Sequence, residues 1–243
     1  MPMAKLAAAG IVVSFLEALS IHVIDFGSIL LGAQTMAAQA VLSMIMSSTW
    51  IMGTGFSIAV CNRVGNYLGS GLPNRAKTSV MASFMLSTTL FGTLAIVFVY
   101  YRHSLPPVFS EDGEVIDLLV AHIPWAAAAG AMQGVNMSLN GILRGQGRQS
   151  VIARIRFISF VFAGIPAGAI AIWVFRWELA GLWFGFSALL ASALLLQVYV
   201  ILTTDWDKEV IACQKRITST ANALRAVDIT IPQSEVGIED YIR

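Results

Sequence analysis

The chain has 243 residues, of which 57% are hydrophobic and only 12% are charged, and its mean hydropathy is +0.74. An average soluble domain is about 45–50% apolar and about 25% charged. The composition therefore excludes a disordered chain and disfavours an ordinary soluble domain. The net charge of +1 disfavours a nucleic-acid partner, because such binders need a broad basic face. We predict a polytopic helical membrane protein.

Six segments are long and apolar enough to cross a lipid bilayer, which takes about 20 residues of helix. In chain order they cover residues 6–31, 37–61, 78–101, 118–139, 157–175 and 179–203. We therefore predict an all-α integral membrane fold, in which six transmembrane helices form a bundle over residues 1–204. The first segment is too long and too acidic for a cleaved signal peptide. A polar tail over residues 205–243 is expected to begin as an interfacial helix at about 205–225 and to end disordered.

Positive charge is distributed unevenly over the two sides of this predicted bundle. Of the 15 Lys and Arg residues, only Arg102 and Arg176 fall on the side that also carries an acidic cluster in residues 111–117. The positive-inside rule then places both termini in the cytoplasm and requires an even number of spans. Cys61 and Cys213 would lie near the cytoplasmic face, where thiols stay reduced. The plasma membrane and the vacuolar membrane both remain open as locations.

Ionisable side chains within the segments concentrate in the first one, which contains Glu17, His22 and Asp25. We expect none in segments two, three, five and six, and only a rim histidine, His122, in segment four. A charge at mid-bilayer costs at least about 2.5–3.5 kcal/mol, so these groups need water, a partner or a proton. At about 100° per residue, the three share an arc of roughly 140°. They predict a site for proton or cation exchange, with an interhelical polar clamp as the alternative.

Segment four adds two polar residues, Gln133 and Asn136, which are three positions apart and so share a helix face. They are candidates to line the same cavity as Glu17. In segment five, Pro166 lies between Gly164 and Gly168, a pattern that predicts a kink or a weakness in helix packing.

Two glycine-rich stretches, residues 63–71 and 141–147, lack the spacing of nucleotide-binding loops and follow no strand. We interpret both as tight turns at helix ends. No Cys and His spacing indicates a metal site, and no nucleophile–base pair indicates an enzyme. We therefore expect no cofactor, no metal and no enzymatic activity.

The same stretches carry a resemblance to a known family. Arg63-Val-Gly-Asn-Tyr-Leu-Gly-Ser-Gly71 with Ala76-Lys77, and Gly141-Ile-Leu-Arg-Gly-Gln-Gly-Arg-Gln149, resemble loops in the C-terminal half of MATE (multidrug and toxic compound extrusion) transporters. Ala38-Gln39 before the second segment fits as well, and the match runs in order over residues 5–205. The family fold has twelve spans in two lobes, and this chain is similar to the second lobe alone.

The resemblance implies an antiporter that exports cationic or amphipathic organic solutes in exchange for protons or sodium. Glu17 matches a glutamate of the family's seventh span, whereas His22 and Gln133 stand where relatives carry further acids, and Asp25 is a candidate replacement. A second six-helix lobe is a candidate partner. The alternatives are a non-transporting fragment or partner lobe of the same fold, and a flippase for lipid-linked substrates. The flippase would need a cationic cavity, and we expect no Arg or Lys inside the spans.

Overall fold

A computed structural model of the protein describes the backbone of residues 2–226 and the side chains of residues 10–219. Its helices are α1 (Pro2–Leu30), α2 (Ala33–Gly69), α3 (Pro73–Tyr100), α4 (Gly113–Gly145), α5 (Gln149–Ser159), α6 (Ile165–Trp173), α7 (Glu178–Leu202) and α8 (Trp206–Ala226). A π-helical turn, Phe160–Gly164, joins α5 and α6 into one span. In the described part of the chain six spans are long and apolar enough to cross a membrane, which confirms the predicted all-α fold.

Helix α4 is the centre of the bundle and packs against α2, α3 and α7. Every residue from 133 to 143 is buried, so this helix has no face left for lipid over that stretch. Close approach depends on glycine: a Cβ added at Gly141 would collide with the carbonyl of Ser57, and one at Gly145 would lie 2.8 Å from the Cys61 carbonyl oxygen. Small residues let two membrane helices gain van der Waals contact and are typical of such interfaces.

Apolar side chains form two clusters, one toward each end of the bundle. The first surrounds Trp183 of α7 and includes Leu42 and Leu119. The second brings together Val64, Ile142 and other residues of α2, α3, α4, α5, α7 and α8. Polar side chains that lie between these clusters are therefore enclosed on several sides by protein.

The prediction that the two glycine-rich stretches are tight turns is right only for their last residues, because residues 63–69 and 141–145 are still helical. Both turns lie at the same end of the bundle. Gly71 and Gly147 adopt φ angles of 71° and 69°, which favour glycine because it lacks a Cβ. Helix α8 lies across this end, where Arg216 Nη2 donates a hydrogen bond of 2.8 Å to the Gln146 carbonyl. We call this end of the bundle, which carries the turns at Gly71 and Gly147, the basic end. The predicted tail helix is confirmed within one residue at each boundary, whereas the predicted disorder lies outside the described residues.

The fifth span differs from the prediction in a way that matters for the site. Its helix begins at Gln149 rather than Phe157, because the polar first turns of α5 are also helical. The expected irregularity is present as the π-helical turn just before Pro166. Beyond it, Gly168 packs against Gly185 of α7 backbone to backbone.

Candidate functional site

Glu17 of α1 meets a buried arginine inside the bundle. Arg156 Nη2, on α5, lies 3.1 Å from Glu17 Oε1, and the two side chains are 2% and 11% exposed. Asn140 of α4 donates to the same oxygen at 3.4 Å, and Gln197 of α7 donates to Asn140 Oδ1 at 3.1 Å. One polar network therefore connects four helices across the interior.

This network leaves hydrogen-bonding capacity unused. Among the described residues, Arg156 Nε and Gln197 Oε1 are buried without a partner. The side-chain donors that reach Glu17 all bind Oε1, and none of the described residues donates to Oε2. A buried ion pair needs further hydrogen bonds to offset the loss of hydration. The Glu17 carboxylate is therefore stabilised by the charge of Arg156, but not all of its hydrogen-bond acceptor positions are occupied. Its Oε2 can accept a proton or interact with an external cation.

A cavity of about 280 Å³ lies beside Glu17. Its walls come from α1, α2 and α4 and include His22, Ser43, Trp50 and Gln133. Most of the remaining lining is apolar, contributed by residues such as Met46. Binding pockets for small organic molecules are typically apolar with a few polar groups that fix orientation. The structure thus brings together three predicted site residues, Glu17, His22 and Gln133.

Asp25 lies about 12 Å further along α1, at 1.5 Å per residue, and is not part of the cavity wall. Its Oδ1 accepts hydrogen bonds from Gln39 Nε2 and Ser43 Oγ, both at 3.1 Å. Its Oδ2 lies 3.4 Å from His22 Nδ1, and Trp183 Nε1 donates to Gln39 Oε1 at 3.1 Å. Asp25 therefore ties α1 to α2 and, through Gln39, to α7, an arrangement that fits the polar-clamp alternative.

Gln133 and Asn136 are separated by the structure despite their shared helix face. Gln133 is 3% exposed and lines the cavity, and its Oε1 has no partner among the described residues. Asn136 is fully buried and donates to the carbonyl oxygens of Met132 and Leu190, at 2.9 and 3.1 Å. Asn136 thus binds α4 to α7 rather than lining the cavity wall.

The sequence prediction missed Arg156, Asn140 and Gln197. The predicted fifth segment, 157–175, contains no ionisable residue, but the span begins earlier, at Gln149, and so includes Arg156, which is 2% exposed. The expectation that no Arg or Lys lies inside the spans is therefore wrong. A signal was present in the sequence. The buried residues of α5 are Ile152, Ile155, Arg156 and Ser159. Their helical spacing places Arg156 on the apolar face, where a surface arginine would not lie.

Comparison with known proteins bears on the family and the fold of the chain. A family model described as MatE matches residues 6–170 of the chain. The uncharacterized transporter C4B3.13 of Schizosaccharomyces pombe is 28% identical over 206 residues, which are 85% of this chain and 38% of that protein. Protein DETOXIFICATION 39 of Arabidopsis thaliana is 28% identical over 185 residues, 76% of this chain and 36% of the relative.

Solved structures show the same relationship. The crystal structure of the eukaryotic MATE transporter AtDTX14 superimposes with a TM-score of 0.82 at 21% identity, covering 88% of this chain and 48% of that one. A MOP superfamily transporter from Pyrococcus furiosus matches with a TM-score of 0.69 and 20% identity. The chain thus has the fold of about half of each solved structure and spans less than half the length of the relatives it matches.

Proposed function

Because this chain belongs to the MatE family, we propose that it forms one lobe of a secondary antiporter that exports cationic or amphipathic organic solutes in exchange for protons or sodium. The observation that carries the proposal is Glu17, a carboxylate in a membrane span that faces a largely apolar cavity. Intramembrane carboxylates typically mark ion or proton pathways. His22 and Gln133 are the proposed cavity partners, and Asn136 and Asp25 hold the surrounding helices.

Arg156 gives the exchange a physical basis. While Glu17 is ionised, it compensates the buried guanidinium at 3.1 Å. A proton on Glu17 removes that compensation and favours separation of α1 from α5, because an unpaired buried charge is unfavourable. An organic cation in the cavity competes with Arg156 for the same carboxylate. Proton and organic cation would therefore compete for the Glu17 carboxylate, so that binding of one excludes the other, as exchange requires.

We also propose that a second six-helix lobe, on the same or another polypeptide, completes the translocation path. The support is the share of the relatives that this chain covers, 36% to 48% in the comparisons above. Substrate sites in many transporters lie at the interface between structural repeats. The flippase alternative requires a cationic cavity, and Arg156 does place one positive charge inside the spans. Because Arg156 is paired with Glu17, however, the two side chains together carry no net positive charge.

The test is efflux of a fluorescent organic cation from vesicles whose external medium is more acidic than their lumen, so that protons are driven inward. We expect Glu17→Gln to abolish pH-driven efflux while the membrane abundance of the chain is retained. Glu111→Gln is the matched control, because it makes the same chemical change at an exposed position away from the cavity. The double variant Glu17→Gln/Arg156→Gln serves where the single variant is poorly inserted. Normal efflux by both Glu17 variants would contradict the proposal and favour the non-transporting alternative.

A further inference from the structure

A second cavity, of about 390 Å³, opens between α2 and α3 at the basic end. It is distinct from the cavity beside Glu17 and shares no lining residue with it. The walls near the helix ends carry Arg63, Tyr67 and Arg75, and the wall toward the middle of the span carries Ala82 and Leu86. The cavity therefore changes from cationic to apolar along the helix axis.

The two arginines are available to a ligand. Among the described residues neither guanidinium lies within 4.0 Å of a carboxylate, and the cations that form ion pairs are His22, Arg148, Arg156 and Lys208. The Arg63 guanidinium carbon lies 6.0 Å from the centre of the Tyr67 ring, a cation–π contact that restrains it at the cavity wall. Guanidinium groups bind phosphate oxygens in a bidentate manner, so two of them form a suitable anion site.

A buried hydroxyl supplies an independent observation. Ser79 lines the same cavity, is 7% exposed, and its Oγ has no hydrogen-bond partner in the part of the chain that is described. Buried polar atoms in native proteins normally have a hydrogen-bond partner, so the Ser79 hydroxyl can accept a hydrogen bond from, or donate one to, a ligand that enters the cavity. The start of α3 also lacks a side-chain cap, so the backbone amides of Asn74 and Arg75 have no side-chain acceptor among the described residues and favour an anion.

The geometry points to an anionic phospholipid as the ligand, and we propose that its phosphate binds between Arg63 and Arg75 while an acyl chain follows Ala82 and Leu86. Arg75 and Leu86 are about 16 Å apart along the helix, so head group and chain can be held together. Leu86 is 59% exposed and would be covered by the acyl chain. This site does not depend on the proposed transport, and its test requires no flux.

Native mass spectrometry of the purified full chain in detergent tests the site, with phosphatidylglycerol, phosphatidylcholine and glycerol 3-phosphate as probes. We expect preferential retention of phosphatidylglycerol. We expect Arg63→Gln/Arg75→Gln to weaken this binding about twenty-five-fold, at about fivefold for each arginine near a membrane surface. Ser79→Ala should weaken it to a smaller extent. Arg154→Gln is the matched control, because Arg154 is an exposed arginine of α5 outside the cavity.

Three outcomes would overturn the proposal. One is equal retention of the two lipids by the unaltered chain. The second is a double variant that binds phosphatidylglycerol as tightly as Arg154→Gln does. The third is glycerol 3-phosphate binding as tightly as the lipid, which would assign the cavity to a soluble phosphate ester. Arg63 and Arg75 are exposed, so the double variant should fold, and an unchanged elution volume in size-exclusion chromatography verifies this.

Discussion

At the scale of single residues, the buried pair of Glu17 and Arg156 makes a prediction about stability. Removing one partner of a buried ion pair typically destabilises a protein by about 3–5 kcal/mol, because the other charge loses its compensation. The two side chains are 11% and 2% exposed, so solvent cannot replace the missing partner. We expect Glu17→Gln and Arg156→Gln each to lower the melting temperature in detergent more than the double variant does.

Thermal unfolding of the unaltered chain, the two single variants and the double variant forms a double-mutant cycle that isolates the interaction between Glu17 and Arg156. Arg154→Gln is the control for loss of an arginine from α5, since among the described residues its side chain donates only to the Ser150 carbonyl of its own helix. Strictly additive losses in the cycle would mean that the carboxylate and the guanidinium are not coupled.

Arg156 also shows which site residues were not predicted from the sequence. The acidic residues of α1 were predictable, because a charge within an apolar run stands out against its neighbours. Arg156 was missed despite its place on the apolar face of α5, because the end of an apolar segment was taken as the end of the buried helix. Its partner is 139 positions away in the chain, so only the tertiary fold brings the two charges together. Asn140 and Gln197 are likewise functional candidates only through their contacts.

At the scale of elements, the contact between α6 and α7 depends on Gly185. A Cβ added there would lie 2.7 Å from the Gly168 Cα and 3.0 Å from the Gly164 carbonyl oxygen, both backbone atoms that cannot rotate away. We expect Gly185→Ala to destabilise the chain by about 1–3 kcal/mol, the usual effect of overpacking. The melting temperature in detergent measures this loss.

The matched control is Gly92→Ala in α3, because a Cβ at Gly92 would meet nothing within 4 Å. Alanine favours helix over glycine, so this variant should be neutral or slightly more stable. If Gly185→Ala had the same melting temperature as Gly92→Ala, the close packing of α6 on α7 would not contribute to stability.

At the scale of the whole molecule, the number of spans followed from length and apolar content alone, because a bilayer imposes both on every crossing helix. The docking of α8 did not follow from its sequence. Its boundaries were predictable, but Arg216 reaches the Gln146 carbonyl, 70 positions earlier, and Glu209 lies 3.7 Å from Arg148. Such contacts exist only in the tertiary fold, which brings α8 onto the turn that follows α4.

The orientation of the bundle is the last prediction, and it concerns the molecule as a whole. The positive-inside rule assigns the basic end, with Ser70, to the cytoplasm and the opposite end, with Ser104, to the other side. Both serines are exposed. In a background in which Cys61 and Cys213 are replaced by serine, we expect a membrane-impermeant maleimide to label Ser70→Cys as soon as the plasma membrane is permeabilised.

Ser104→Cys should behave differently in each possible location. In the plasma membrane it should be labelled in intact cells, and in an internal membrane only after complete solubilisation. The cysteine-free background, which should remain unlabelled, is the control. In both locations the labelling of Ser70→Cys requires permeabilisation. Labelling of Ser70→Cys in intact cells would therefore contradict the predicted orientation and indicate the opposite one. It would also place the cavity of Arg63 and Arg75 on the non-cytoplasmic leaflet, where anionic lipids are scarcer and the proposed lipid site would lose its natural ligand.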